Sequence, residues 1–243
     1  MELGLQPLLR GKKYECRRML PVMGTDERTA VASAPGKCIL FGEHAVVYGE
    51  PAVAVALEQR LSVRMSPSKS WSVNGSELSP KRHPHVHHMV NELWNGVDDA
   101  TPLSIHVSGD IPRASGLGSS AALSVAVCTA LDASRTSPDH RMEAQAISRM
   151  AHHAEANAQS GRASPMDTST SALGGVVVLS NQKEDGCEWA FTSELETPEG
   201  KRTWEIHTLD TPEDEVFLVL GNTGVHAPTS RQVTLVAAAL EAN

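Results

Sequence analysis

Three stretches of this sequence combine residue types that can bind an anion, hold a cation and move a proton. The first reads Pro112-Arg-Ala-Ser-Gly116-Leu117-Gly118-Ser119-Ser120-Ala121-Ala. Gly116 and Gly118 let the backbone approach an anion closely, and a helix beginning near Ser119 would aim its free N–H groups and positive dipole end at it. The hydroxyls of Ser119 and Ser120 can bond a phosphate oxygen or a divalent cation. The spacing is neither that of a Walker A loop, which needs G-K-[ST], nor that of a dinucleotide fingerprint. A glycine-serine turn before an apolar helix also serves as a plain cap, and that alternative stays open on these residues alone. The second stretch, Ala34-Pro-Gly-Lys37 through Glu43-His44 to Gly49, sets a lysine, an acid and a histidine around a strand and a glycine turn. Such residues are equally at home on a solvated edge. The third runs from Glu155 to Gly175. Glu155 follows Ala151 by one helical turn and so lies on or near a buried face. Asp167 follows a Ser-Pro turn that cannot continue the helix, and reads as a loop acid. Together the two acids could hold a metal and a proton; singly, each could be a surface or capping carboxylate.

The elements that must position these residues can be read from periodicity. Residues 31–41 form a strand interrupted by Pro35-Gly36, and residues 52–57 are an apolar run suited to a buried strand. Leu61, Val63 and Met65 alternate with polar residues as in a half-buried strand. Residues 66–80, rich in serine, proline and glycine, predict a loop or hairpin tip. Residues 86–94 read as a helix, 103–107 as a strand, and 121–131, apolar nearly all round, as a buried helix. A second helix is expected over residues 142–158, with Ile147, Met150, Ala151 and Ala154 inward. Strands follow over 176–179 and 216–220, and a helix over 231–241. Strands and helices mix without strict βα alternation, so the expected class is α+β.

Composition narrows the function classes. The chain has 243 residues with a net charge of -8. An acidic balance argues against a nucleic-acid backbone as partner, because counterion-release binding needs a basic face. No apolar run is long enough to span a bilayer, so no membrane partner is expected. Cys16, Cys38, Cys128 and Cys187 form no C-x-x-C pair, which suits free thiols in a reducing, cytoplasmic compartment. Residues 1–29 read as a disordered extension. The histidines of Lys81-Arg-His83-Pro-His85-Val-His87-His88 predict a compact basic loop before a helix rather than a metal site.

The three stretches, in this order and at these separations, resemble the GHMP kinases, the family of galactokinase, homoserine kinase, mevalonate kinase and phosphomevalonate kinase. P-x-x-x-G-L-G-S-S-A-A resembles that family's phosphate-binding signature. P-G-K-x-x-L-F-G-E-H-A-V-V-Y-G-x-P-A is similar to the mevalonate kinase branch, and A-S-P-M-D-T-S-T-S-A-L-G-G looks like its archaeal type. Phosphomevalonate kinases usually carry tyrosine where His44 stands. The resemblance covers residues 31–243. It implies a GHMP kinase fold: an N-terminal ribosomal-protein-S5-like, ATP-binding domain over 30–212 and the start of a ferredoxin-like C-terminal domain over 213–243.

It also implies roles. Asp167 would take or orient the proton of the attacking hydroxyl, and Lys37 would favour the alkoxide. Both would contact the acceptor, with Glu43 and His44. Pro112, Gly116, Leu117, Gly118, Ser119, Ser120 and Ala121 would cradle the triphosphate of ATP. Ser120 and Glu155 would hold its Mg²⁺. The implied reaction moves the γ-phosphoryl of ATP to the 5-hydroxyl of mevalonate, in isoprenoid synthesis, with a homodimer as the expected assembly. The alternatives are a phosphomevalonate or mevalonate-3-phosphate type of kinase, or an inactive fragment.

Two departures from the family pattern carry expectations of their own. Glu155 and Asp167 are one residue further apart than the family's acids, and aligning Gln159 with the family's glutamine puts the extra residue at Ser160, after the helix. The family's third glycine-rich motif, of the type K-x-T-G-A-G-G-G-G, does not occur, so the chain is expected to stop inside the C-terminal domain.

Overall fold

The structure is a computed structural model that describes residues 4–7, 15–18, 29–43, 50–94, 101–112, 115–135, 141–159, 161, 163–197, 200–210 and 217–221. Its spine is one long strand, β4 (Ala52–Pro67), which the two patterns of the sequence had divided in two. The reason for the two patterns is the neighbours. On one edge β4 pairs antiparallel with β3 (Ala30–Phe41) along most of its length. Its other edge is shared: Ala52–Val55 pairs with β8 (Val176–Ser180), whereas Leu61–Pro67 pairs with β7 (Leu103–Gly109). The first half lies in the sheet's middle and is apolar throughout; the second half alternates because one face meets the core and the other is more open. The register of β3 on β4 shifts between Pro35 and Lys37, where Pro35-Gly36 interrupts the strand pattern.

A small hairpin, β5 (Ser72–Val73) and β6 (Ser76–Glu77), extends the sheet beyond β7. Its turn is Asn74-Gly75, with φ of 48° and 78°, the two positive angles of a type I′ hairpin turn. Beyond β8 come β10 (Gly200–Leu209) and β9 (Glu188–Thr197), a hairpin additional to the strands expected from periodicity. Among the described residues, β2 (Glu15–Arg18) pairs with the outer edge of β3, bringing that sheet to nine strands, and β1 (Gly4–Pro7) pairs with β11 (Phe217–Leu220) in a separate two-stranded sheet. An uncovered edge on β3 offers unpaired N–H and C=O groups, which is the physical reason a short polar segment can be recruited there. The helix expected over 231–241 lies outside the described residues.

Among the described residues, four helices pack with the sheet: α1 (Pro84–Leu93), α2 (Ser119–Arg135), α3 (Ala144–Ala158) and α4 (Met166–Leu173). α2 is buried nearly all round, its alanines letting the strands and helices approach closely. Ile147, Ala151 and Ala154 of α3 face the core as expected, while Met150 is only partly buried. The apolar core falls into two clusters, one under α1, α2 and α3 and one under β8, β9 and β10. α4 joins them, with Met166 in the second and Ala172 in the first.

His152 of α3 is fully buried. Its Nε2 lies 2.9 Å from the Ala163 carbonyl and its Nδ1 3.3 Å from Ser193 Oγ, with Trp204 edge-on at 5.5 Å. It therefore ties the turn before α4 to β9. Burial lowers its pKa from 6.5 to about 4. A group whose folded pKa is depressed stabilises the fold above its unfolded pKa, and that contribution is lost as pH falls. Stability is expected to drop by roughly 3 kcal/mol between pH 6.5 and 4 from this group alone. Urea unfolding across that range checks it against His152→Gln, which cannot titrate and should show a shallower slope. Equal slopes would remove His152 as the cause.

Candidate functional site

The site is assembled where β3, the loop before α2, and α4 meet. Lys37 lies within β3, just past the bulge, and is 4% exposed. Its backbone N–H donates to the Leu117 carbonyl at 3.0 Å, and its Nζ donates to the Gly116 carbonyl at 3.0 Å. The loop thus lies against the lysine's whole length. That contact needs glycine twice. A Cβ at Gly36 would stand 2.8 Å from the Leu117 oxygen, and one at Gly118 would stand 2.7 Å from Lys37 Cγ. Gly118 also has a φ of 70°. Its carbonyl accepts from the Ala122 N–H at 2.9 Å, which starts α2. The N–H groups of Ser119, Ser120 and Ala121 belong to the first turn, where no intrahelical acceptor exists. The methyl of Ala121 faces the core, so its backbone N–H is what it can offer a ligand. Pro112, exposed, accepts from Ser115 Oγ at 2.7 Å in the turn leading into the loop.

The second charge at Lys37 Nζ is Asp167 Oδ1, 3.1 Å away. Asp167 is the correction to the expected loop acid: it sits in the first turn of α4, whose N-cap is Pro165. Burial pushes its carboxyl above the ordinary range, while the Lys37 charge pulls the other way. The helix that carries it has a sequence poor in helix formers and is too short to nucleate alone. Tertiary contacts hold it instead: Met166 and Ala172 in the two core clusters and Ser169 Oγ 3.0 Å from Ser148 Oγ; within the helix, the Thr168 and Thr170 hydroxyls donate to the Pro165 and Met166 carbonyls.

Glu155 of α3 is 5% exposed and ringed by donors. Ser120 Oγ and Gln159 Nε2 donate to its Oε2 at 3.2 and 3.0 Å, and Ser124 Oγ donates to its Oε1 at 3.2 Å. Burial pushes its carboxyl up to about 7; those hydrogen bonds draw it down and the Asp167 charge adds to the rise. A carboxyl this buried, whose one described ion-pair partner is the neutral-leaning His85, is suited to receive a cation. The 3.2 Å between Ser120 Oγ and Glu155 Oε2 is near the roughly 3 Å edge of an octahedron with Mg–O bonds of about 2.1 Å. Among the described residues no group of three or more His, Cys, Asp or Glu converges on a metal, but a nucleotide-bound Mg²⁺ needs only one or two protein ligands.

Beside Ser119 and Ser120 opens a cavity of about 400 Å³ lined by Leu61, Val107, Gly109, Ile111 and Leu123. No local pattern joins these residues: they come from β4, β7, the turn after β7 and α2, and reach one space only through the tertiary fold. Glu43 lies exposed in the turn after β3, near enough for its charge to raise the Asp167 and Cys38 pKa values. His44 lies outside the described residues. So does Ser160, although α3 does end at Ala158, with Gln159 as its C-cap.

The arrangement therefore offers anion-binding N–H groups, a cation-ready serine–glutamate pair, and a lysine–aspartate pair within one site. A family model described as "GHMP kinases N terminal domain" matches residues 84–175. The chain is 43% identical over 157 residues to a mevalonate kinase of Methanothermobacter thermautotrophicus, covering 63% of this chain and 50% of that protein. It is 42% identical over 149 residues to one from Archaeoglobus fulgidus, covering 60% and 51%. The chain thus spans about half the length of the curated relatives it matches. Among solved structures, the Methanococcus jannaschii mevalonate kinase superposes with a TM-score of 0.55 at 23% identity, covering 65% of this chain and 59% of that one. The L. major mevalonate kinase in complex with R-mevalonate gives 0.59 at 19%, covering 87% and 61%. A Lin0012 protein from Listeria innocua gives 0.66 at 21%, covering 88% and 66%. The fold is that of the GHMP kinases. No helix among the described residues is long and apolar enough to cross a membrane.

Proposed function

We propose that this chain, a GHMP kinase by the domain it carries over residues 84–175, holds the phosphoryl-transfer site of a mevalonate kinase. The observation that carries the reading is Lys37, whose ammonium joins the phosphate loop to Asp167 at 3.0 and 3.1 Å. One side chain thereby fixes the distance between the bound phosphate and the proton acceptor.

The acceptor's 5-hydroxyl attacks the γ-phosphorus of ATP. As the new O–P bond forms, the hydroxyl proton passes to Asp167 and the bond to the β-phosphate oxygen breaks, releasing ADP. Lys37, itself buried, stabilises negative charge gathering on the attacking oxygen. The first-turn N–H groups of α2 and the Gly116–Gly118 loop bind the triphosphate. The apolar cavity beside Ser119 takes the adenine ring, its volume lying within the usual range for small-molecule sites. Ser120 Oγ and Glu155 Oε2 would hold Mg²⁺, which when bound neutralises charge on the β- and γ-phosphates. Glu43 and His44 are assigned to the acceptor side. Free thiols at Cys38, Cys128 and Cys187 support a cytoplasmic location.

The test is coupled ADP release with mevalonate, phosphomevalonate and mevalonate 3-phosphate as separate acceptors. The expected result is turnover with mevalonate at least tenfold above the other two. A preference for a phosphorylated acceptor would overturn the assignment of substrate while leaving a kinase.

A further inference from the structure

The histidine-rich stretch before and within α1 has no part in the reading above, yet one of its members reaches the metal-facing glutamate. His85 is the second residue of α1, after Pro84, and its side chain is 18% exposed. Its Nδ1 lies 3.3 Å from Glu155 Oε1. That nitrogen is buried and makes no hydrogen bond, so the ring is held against the carboxylate without a competing partner. What holds it is the packing of α1, whose Val86, Met89 and Val90 are buried in the cluster that also contains Ile147, Ala151 and Ala154 of α3.

The contacts of Glu155 divide by oxygen. Oε2 meets Ser120 and Gln159, on the side of the phosphate loop. Oε1 meets Ser124 and His85, on the far side. We propose that His85 is a positioning residue: its Nδ1–H bonds Oε1, and with Ser124 it fixes the carboxylate plane so that Oε2 faces the cation beside Ser120. This rests on the reading of Ser120 and Glu155 as the Mg²⁺-holding pair. A hydrogen bond long and misaligned without ligand commonly tightens when the ligand arrives, and partners behind a metal-binding carboxylate tune affinity by about 10–100-fold.

The experiment is calorimetric titration of the purified protein with ADP, with Mg²⁺ and with excess EDTA, in wild type, His85→Ala, His85→Asn and Glu155→Gln. His85→Ala is expected to weaken Mg²⁺-dependent binding by about 10-fold or more and to leave EDTA binding within twofold. His85→Asn sets an amide N–H near the place of Nδ1 and is expected to recover most of the loss. In the Glu155→Gln background, His85→Ala should cost little more, because the residue it positions is gone. Mg²⁺-dependent binding unchanged in His85→Ala would overturn the proposal. So would an equal loss with and without Mg²⁺, or no recovery in His85→Asn, each of which marks a merely structural residue. Wild type binding ADP equally with and without Mg²⁺ would overturn the Ser120–Glu155 reading itself, and this proposal with it.

Discussion

Asp167→Asn is expected to lower kcat by about 10²–10⁴-fold while leaving the affinity for ATP within about threefold. Asparagine keeps the shape of the side chain and can still accept from Lys37, but it cannot take a proton. The loop at residues 116–118 does not depend on Asp167, since Lys37 is independently bonded to Gly116 and Leu117. The substitution also removes the charge facing Lys37. Asp167 is 35% exposed on its side of that pair, so the stability lost is expected to stay below the roughly 3 kcal/mol typical of fully buried pairs. Single-turnover kinetics with ATP in excess, alongside equilibrium ATP binding, checks both halves. Near-normal turnover would remove Asp167 from the chemistry; a matching collapse of ATP binding would recast it as part of the nucleotide site.

Two neighbouring glycines should respond very differently to alanine. Gly116 and Gly118 share a positive φ, 76° and 70°, so each alanine carries about 1–2 kcal/mol of left-handed strain. Around Gly116 a Cβ would find nothing within 4 Å. At Gly118 it would strike the Lys37 stem at Cγ, Cε and Cδ, at 2.7, 3.1 and 3.4 Å. Lys37 cannot easily give way, because its backbone is locked in β3 and its ammonium is tied to Gly116 and Asp167. A displacement near 1 Å at a reacting group can cost about 100-fold. Gly118→Ala is therefore expected to reduce kcat/KM about 100-fold beyond Gly116→Ala. Steady-state kinetics on the two variants decides it. Equal losses would mean that strain alone acts and that the lysine tolerates crowding.

How much of this could be seen in the sequence depends on the range of the interaction involved. The segments holding Lys37, Gly116–Ser120 and Glu155 were legible because each is a local composition with its own turn or helix signal. Their convergence is long-range, and only the family resemblance suggested it. α4 was not legible: Thr168, Ser169, Thr170 and Ser171 favour turns by propensity, and their burial against α3 overrides that preference. The β9–β10 hairpin did carry a signal, the alternation of Phe191, Ser193 and Leu195 facing inward with Trp204 and Ile206 opposite. The strands within residues 1–29 carried none, since polar edge segments gain order from the edge that receives them. His85 beside Glu155 lay beyond any local rule, being a contact between two helices separated by the whole of α2.

The shared edge of β4 bears on how the molecule comes to exist during synthesis. The half beginning at Ala52 must wait for Val176 to emerge, 124 residues later, before β8 can cover it. At about 5–20 residues per second that is roughly 6–25 s in which an apolar strand edge, Ala52–Val55, stands uncovered on the ribosome. β3 can zip onto β4 almost at once, and β7 follows within some forty residues, so a half-built sheet holding Lys37 precedes the helix holding Asp167. The nascent chain thus presents a sticky template well before the two charged partners can meet, and a chaperone that shields short apolar edges would act on it during that interval.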